Sequence, residues 1–148
     1  MLRTLLVTLA IVALVSFLGC KSSGGDPVSV PPPDDATPLT KDDSVRANAY
    51  LVRDAVEAYQ AVAGILPKST YEPISANDSR TLIDFLPGGT YLINPYSGAA
   101  DSPLSEHANY PGEVSYMAFG QNITSYVIHG VGAERGVEII ELLYDPAK

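Results

Sequence analysis

Hydrophobic residues between positions 44 and 64 recur at alternating spacings of four and three, the period that places side chains on one face of an α-helix. Charged and amide side chains fall mainly between them, on the side that would face water. Residues 40–44, T-K-D-D-S, supply N-caps and acidic groups for a first turn, while Gly64 and Pro67 end the pattern. A long amphipathic helix is therefore predicted at 44–64. Its apolar stripe is Val45, Ala49, Val52, Val56, Tyr59 and Ala63.

Beyond this helix the apolar runs become shorter, which is typical of strands and turns. A short helical turn is predicted at 78–86, with Ser75 or Asn77 as its N-cap. Residues 90–93 have strand composition, and residues 99–111 are expected to form an irregular polar loop. Three further strands are predicted at 113–119, 123–129 and 137–143.

A three-residue connection at 120–122 predicts a hairpin in which Phe119 opposes Ile123 and Tyr116 opposes Tyr126. One face of the hairpin then suits the helix; it carries Val114, Tyr116, Ala118, Tyr126 and Ile128. The other face is less polar than a surface in water should be, which indicates either another register or a contact surface. That face carries Ser115, Met117, Phe119, Ile123, Ser125 and Val127.

The chain length and the net charge limit the size of the folded part and the partners that it can bind. The chain has 148 residues, and once a leader and a linker are subtracted there is room for one domain of about 100 residues. The net charge is −8, and the sequence has no basic run or patch, so nucleic acid is not expected as a partner. An acidic surface is also the wrong sign for adhesion to anionic lipid.

The N-terminus has the pattern of an export signal. Arg3 precedes an apolar run that is too short for a comfortable membrane span and ends in F-L-G-C, with Cys20 the single cysteine of the chain. This ending resembles the lipobox of bacterial lipoproteins, in which the chain is cleaved before the cysteine and the thiol is acylated. Residues 1–19 are therefore predicted to be a lipoprotein signal peptide and Cys20 the lipidation site. An uncleaved anchor and an ordinary signal peptide are the alternatives.

Residues 20–43 are predicted to be the lipid attachment point and a disordered tether, because a Pro-, Ser-, Gly- and Asp-rich segment buries too little to offset its ordering entropy. A Pro-rich ligand for a partner is the alternative, but its prolines lack the flanking basic residues that such docking usually requires. The folded domain is accordingly assigned to residues 44–148.

Candidate chemistry is sparse. His107 and His129 are the only histidines, and no Cys, Asp or Glu stands beside either at ligand spacing, so both are interpreted as ordinary surface or loop residues. Asp54 and Glu57 lie one turn apart and are interpreted as part of a hydrated helix face. The serines lack a nucleophile motif, and the sequence has no P-loop or dinucleotide fingerprint. We therefore expect no enzyme activity, no catalytic residue, no cofactor and no metal.

The motifs of residues 44–143, in their order and spacing, resemble the globular part of the type II secretion major pseudopilins and related type IV pilin-like proteins. About two-thirds of the chain is covered. The matching segments are A-V-E-A-Y at 55–59, G-I-L-P at 64–67, L-I-D-F-L-P at 82–87, N-P-Y-S-G at 94–98, P-G-E-V-S-Y at 111–116 and S-Y-V-I-H-G-V-G at 125–132. The resemblance implies a pilin-like α+β domain with one long N-terminal helix packed on a small antiparallel sheet of three to four strands.

Two features of that family have no counterpart in this sequence. The prepilin peptidase site and the hydrophobic helix with an early glutamate are replaced by the lipobox-like leader and the tether, so ordinary filament incorporation is not expected. The major pseudopilins also bind calcium in the loop before the last strand. Here that loop offers only Glu134 as a charged ligand, and no calcium site is predicted.

Two functional hypotheses follow, with an enzyme as a third that would need a cleft holding groups of perturbed pKa. The first is a non-enzymatic lipoprotein whose pseudopilin-like domain is an accessory interaction module of an envelope secretion or assembly system. The second is a lipid-anchored protein that binds a small molecule, peptide or glycan in the 99–111 loop or on the outer face of the sheet. Both place the protein on the periplasmic side of the cell envelope. The outer membrane is favoured over the inner because Lys21 is not the aspartate associated with inner-membrane retention.

Overall fold

A computed structural model describes residues 39–147. Helix α1 spans Lys41–Ala63, and Gly64 ends it in the left-handed conformation at φ 72°. The helix begins at Lys41 rather than at the predicted Ser44, because Thr40 and Asp43 form a capping box. The Thr40 hydroxyl oxygen accepts from the Asp43 amide at 3.1 Å, and the Asp43 carboxylate accepts from the Thr40 amide at 3.3 Å. Residues 41–43, assigned above to the tether, are thus the first turn of the helix.

The predicted helical turn at 78–86 is wrong in length and in its cap. A 3-10 turn at Leu82–Phe85 takes its place, with Thr81 at its N-cap and the Asp84 carboxylate accepting from the Thr81 amide at 2.7 Å. Ser75 and Asp78 instead exchange backbone hydrogen bonds in a tight turn. That turn uses the Asp78 carbonyl, which in a helix starting at 78 would accept from the amide of residue 82.

Within residues 39–147, five strands form two antiparallel sheets. β1 (Leu92–Ile93) pairs with β2 (Ala100–Ser102), so part of the predicted loop at 99–111 is a strand. The larger sheet is formed by β3 (Val114–Phe119), β4 (Ser125–Val131) and β5 (Glu138–Tyr144), hydrogen-bonded in that order.

The β3–β4 register differs from the prediction by two residues. Tyr116 lies opposite Ile128, and Ala118 lies opposite Tyr126. The connection is longer than expected because the chain turns through residues 120–124, with Ile123 in the turn at φ 48° instead of in β4. Side chains alternate along a strand, so a shift of two residues does not change the face on which a side chain lies. The residues that remain in β3 and β4 therefore lie on their predicted faces.

The core lies between α1 and one face of the larger sheet, as the hydrophobic pattern predicted. The helix buries the predicted stripe except Ala63, which is partly buried, and Ala55 joins it. The sheet buries Val114, Tyr116, Tyr126 and Ile128 against the helix. Each fully buried side chain of this size contributes about 1.5–3 kcal/mol relative to an exposed one.

The α+β class, with one long helix and small antiparallel sheets, is confirmed. The predicted signal peptide at 1–19, Cys20 and most of the tether lie outside the described residues. Among residues 39–147, no helix combines the length and the apolar character needed to cross a bilayer.

Candidate functional site

A β-bulge at the start of β5 brings two glutamates to the same histidine. Gly130 pairs with Ile140 while Val131 pairs with Glu138, so Ile139 is an extra residue on β5. Glu138 and Glu141 are three positions apart and would face opposite sides of a regular strand. The bulge places both beside His129, whose Nδ1 lies 2.8 Å from Glu138 Oε2 and 3.9 Å from Glu141 Oε2.

The segment 103–113 covers this end of the outer sheet face, the face turned away from α1. Leu104 hydrogen-bonds along the free edge of β3, donating to the Val114 carbonyl and accepting from the Tyr116 amide, both at 2.8 Å. Further on, the Asn109 carbonyl accepts from the Gly136 amide in the β4–β5 connection at 2.9 Å. The segment therefore crosses the outer face from the free edge of β3 to the β4–β5 connection, and His129 beneath it is buried.

His107 lies on this crossing segment and completes the cluster. Its ring centroid is 4.9 Å from that of His129 in an edge arrangement, and its Nε2 lies 3.1 Å from Glu138 Oε1. The two carboxylate oxygens of Glu138 thus approach one histidine each. Ligand atoms of His107, His129 and Glu138 all lie within 4.8 Å of one another. We call these three residues the His–Glu cluster.

The buried nitrogen of the cluster is not satisfied by a hydrogen bond. His129 is only 7% exposed, and within residues 39–147 its Nδ1 has no hydrogen-bond partner. Glu138 Oε2 lies 2.8 Å from this nitrogen, but the contact does not have the geometry of a hydrogen bond. A buried polar atom without a partner is costly, so this nitrogen favours a ligand that meets it in the plane of the ring.

Neighbouring groups hold the crossing segment in place. Glu113 accepts from the backbone amides of Asn109 and Tyr110 at 2.8 and 2.9 Å. The Asn109 side-chain amide donates to the His107 carbonyl at 3.0 Å. These bonds set the position of the His107 backbone over the sheet.

A shallow hollow of about 250 Å³ lies next to the cluster, between Tyr71 and the segment 104–113, and His107 forms part of its wall. A larger hollow of about 350 Å³ lies elsewhere, beside Tyr59, Lys68 and Glu72. Both are open to solvent, and only the smaller one borders the His–Glu cluster.

The structure agrees with part of the sequence-based interpretation of these residues. His107 is exposed in a loop, as predicted. Asp54 and Glu57 lie exposed on α1 at 2.8 and 3.7 Å from the Arg53 guanidinium, which is the hydrated helix face that was expected. Glu134 is exposed in the connection before β5.

His129 corrects the prediction, because it lies buried within β4 and not on the surface or in a loop. Its partners were missed because they are distant along the chain. His107 reaches it only through the crossing segment, and Glu138 only through the bulge. The nearest sequence signal was the pair Glu138 and Glu141 in the strand that follows His129, and a regular strand would have separated them.

Comparison with protein-family models finds none that matches the chain, and comparisons with curated proteins and with solved structures find no match either.

Proposed function

We propose that this chain is a non-enzymatic lipoprotein, anchored through acylated Cys20 on the periplasmic side of the bacterial envelope, with the outer membrane favoured. Its α+β domain serves as an accessory interaction module of a secretion or assembly system. The leader pattern supports the anchor, and one long helix packed across three antiparallel strands supports the likeness to pseudopilins.

One structural observation carries the interaction hypothesis. Met117, Val127 and Leu143 form a row across the outer face of the larger sheet, at the end that the segment 103–113 does not reach. Within the row, Val127 is buried at 6% exposure and Met117 is half-buried, whereas Leu143 is 55% exposed. Phe119 lies beside the row on the same face and is 47% exposed. An apolar row on the face opposite the core has no role in packing the helix, and such a patch is typical of a protein contact.

The anchor is tested by the intact mass of the membrane-extracted full chain, beside a Cys20→Ser variant. Loss of residues 1–19 together with a diacylglyceryl-sized increment, both absent in the variant, supports the proposal. An unmodified full-length chain in the membrane contradicts it and makes the leader a plain anchor. A cleaved, unlipidated chain contradicts it as well and indicates a secreted protein.

The contact surface is tested in cells with a photoreactive amino acid at Phe119 or Leu143. Val62 is the matched control, since it is 53% exposed but lies on α1. Adducts to a discrete envelope protein from positions 119 and 143, but not from 62, support the interaction module. Equal labelling from all three positions, or none, contradicts it.

Ligand capture is the second candidate, supported by the hollow beside Tyr71 and the segment 104–113. Its volume of about 250 Å³ is below the range of roughly 300–1,000 Å³ of typical small-molecule sites. The hollow is also open, so it would bury only part of a ligand. The apolar row therefore supports a protein partner more strongly.

A further inference from the structure

We propose that His107, His129 and Glu138 bind a divalent transition-metal ion of the zinc class through two imidazole nitrogens and the Glu138 carboxylate. The site lies within the described domain. It depends neither on the lipid anchor nor on the apolar row.

The donor set decides which ion is expected. Imidazole nitrogens suit zinc, copper, nickel and iron, whereas calcium and magnesium prefer an all-oxygen shell. Two histidines and one glutamate, each on a different segment, are the protein ligands of a familiar class of three-ligand zinc site. A single carboxylate with two nitrogens is a poor calcium site.

The distances are close to those that such an ion needs. Zinc takes nitrogen and oxygen ligands at about 2.0–2.1 Å, so the ligand atoms of a tetrahedral site lie about 3.3 Å apart. Glu138 Oε1 lies 3.1 Å from His107 Nε2, and the other oxygen of the same carboxylate, Oε2, lies 2.8 Å from His129 Nδ1. The whole set fits within 4.8 Å. The small adjustment falls to His107, whose side chain is 50% exposed and therefore free to move.

The unsatisfied nitrogen is the second and independent observation. A purely ionic His–Glu pair would align the His129 N–H with the carboxylate oxygen, because a charge-assisted hydrogen bond is strongest when straight. His129 Nδ1 is buried and close to Glu138, yet no such bond forms among residues 39–147. An ion bound in the ring plane, between nitrogen and oxygen, accounts for both the proximity and the misalignment.

A bound ion would join three segments: the crossing segment through His107, the centre of β4 through His129 and the bulge of β5 through Glu138. It would fasten segment 103–113 onto the sheet. With three protein ligands, the fourth position is left to water.

The test uses the metal-free full chain in detergent, titrated with Zn²⁺ against a chromophoric chelator. We expect one zinc per chain, not displaced by excess Ca²⁺ or Mg²⁺. His107→Ala and Glu138→Gln should each weaken binding more than about 100-fold, since even partners outside the ligand shell are worth about 10- to 100-fold. Glu134→Gln, an exposed glutamate near the same sheet end, is the matched control and should bind as the wild type does.

Melting curves with and without Zn²⁺ separate loss of the site from loss of the fold. His107 is exposed, so His107→Ala should melt as the metal-free wild type does, but without the rise that zinc causes in the wild type. No zinc binding by the wild type would overturn the proposal. Unchanged affinity in both His107→Ala and Glu138→Gln would overturn it too, because the zinc would then be bound elsewhere.

Discussion

Tyr116 in the larger sheet donates its hydroxyl hydrogen to the carbonyl oxygen of Pro67, with 2.6 Å between the two oxygens. The ring is only 1% exposed and packs against Tyr126 at a centroid distance of 5.6 Å. This bond ties the centre of the core to the turn that follows α1. It also satisfies a buried carbonyl and a buried hydroxyl at once.

Removing that hydroxyl should destabilise the domain. We expect Tyr116→Phe to lower the free energy of unfolding by about 1–3 kcal/mol, because the Pro67 carbonyl is left buried without its donor. Urea unfolding of the full chain measures the change. Tyr50→Phe, on the exposed side of α1, is the control and should change stability by less than about 0.5 kcal/mol. Equal stability of the two variants would show that the bond contributes nothing.

The buried hydroxyl of Tyr116 also predicts that the domain loses stability at high pH. Burial, with a smaller contribution from the neighbouring Tyr126, raises the pKa of Tyr116 well above its usual value. A group with a raised folded-state pKa stabilises fully below its unfolded pKa, about 10 for tyrosine, and loses that contribution as pH rises beyond it. Stability should therefore fall above about pH 10. The fall should be shallower in Tyr116→Phe, as urea midpoints across this range would measure; identical slopes would contradict the assignment.

The N-cap of α1 is an independent stability element. Thr40→Ala removes the acceptor for the Asp43 amide and should cost about 1 kcal/mol in urea unfolding, with fraying of the first turn. Thr90→Ala, at an exposed loop position, is the matched control and should have little effect. A loss no larger than that of the control would mean that the capping box does not hold the helix start.

The hydrogen bonds of the N-cap also affect the titration of the Asp43 carboxyl at low pH. The hydroxyl of Thr40 lowers the pKa of Asp43; desolvation, the next effect in size, opposes it, and the Thr40 amide and Arg46 add to the lowering. A depressed folded-state pKa means stability that is present above the unfolded value and lost as pH falls through the folded one. NMR titration of the Asp43 carboxyl should give a lower pKa in the wild type than in Thr40→Ala. An unchanged titration would remove Thr40 as the cause.

Position 130 has no room for a side chain, so it requires glycine. A Cβ there would lie 2.7 Å from Ile140 Cγ2 and 2.8 Å from Val45 Cγ1, where sheet and helix meet. Gly130→Ala should cost about 1–3 kcal/mol through overpacking. Combining it with Val45→Ala, which removes one clashing atom, should cost less than the sum of the two single changes. Strict additivity would show that the contact with Val45 is not the source of the strain.

The predicted faces of β3 and β4 are correct although the predicted register is wrong. The turn between them is longer than predicted and shifts the pairing by two residues, which is one full period of a strand. Tyr116 and Ile128 therefore face the helix in either register. Only Ile123 changes role, because it is taken up in the longer turn.

The amino-acid sequence by itself determined the long helix, its buried stripe, the sheet face that packs on it and the α+β class. Each of these depends on hydrophobic periodicity over neighbouring residues, which is a local signal. The tertiary structure alone decided the His–Glu cluster. Its residues meet because a segment crosses the sheet and a bulge turns Glu138 toward His129. Both depend on backbone pairing between distant segments, and no spacing along the chain encodes that pairing.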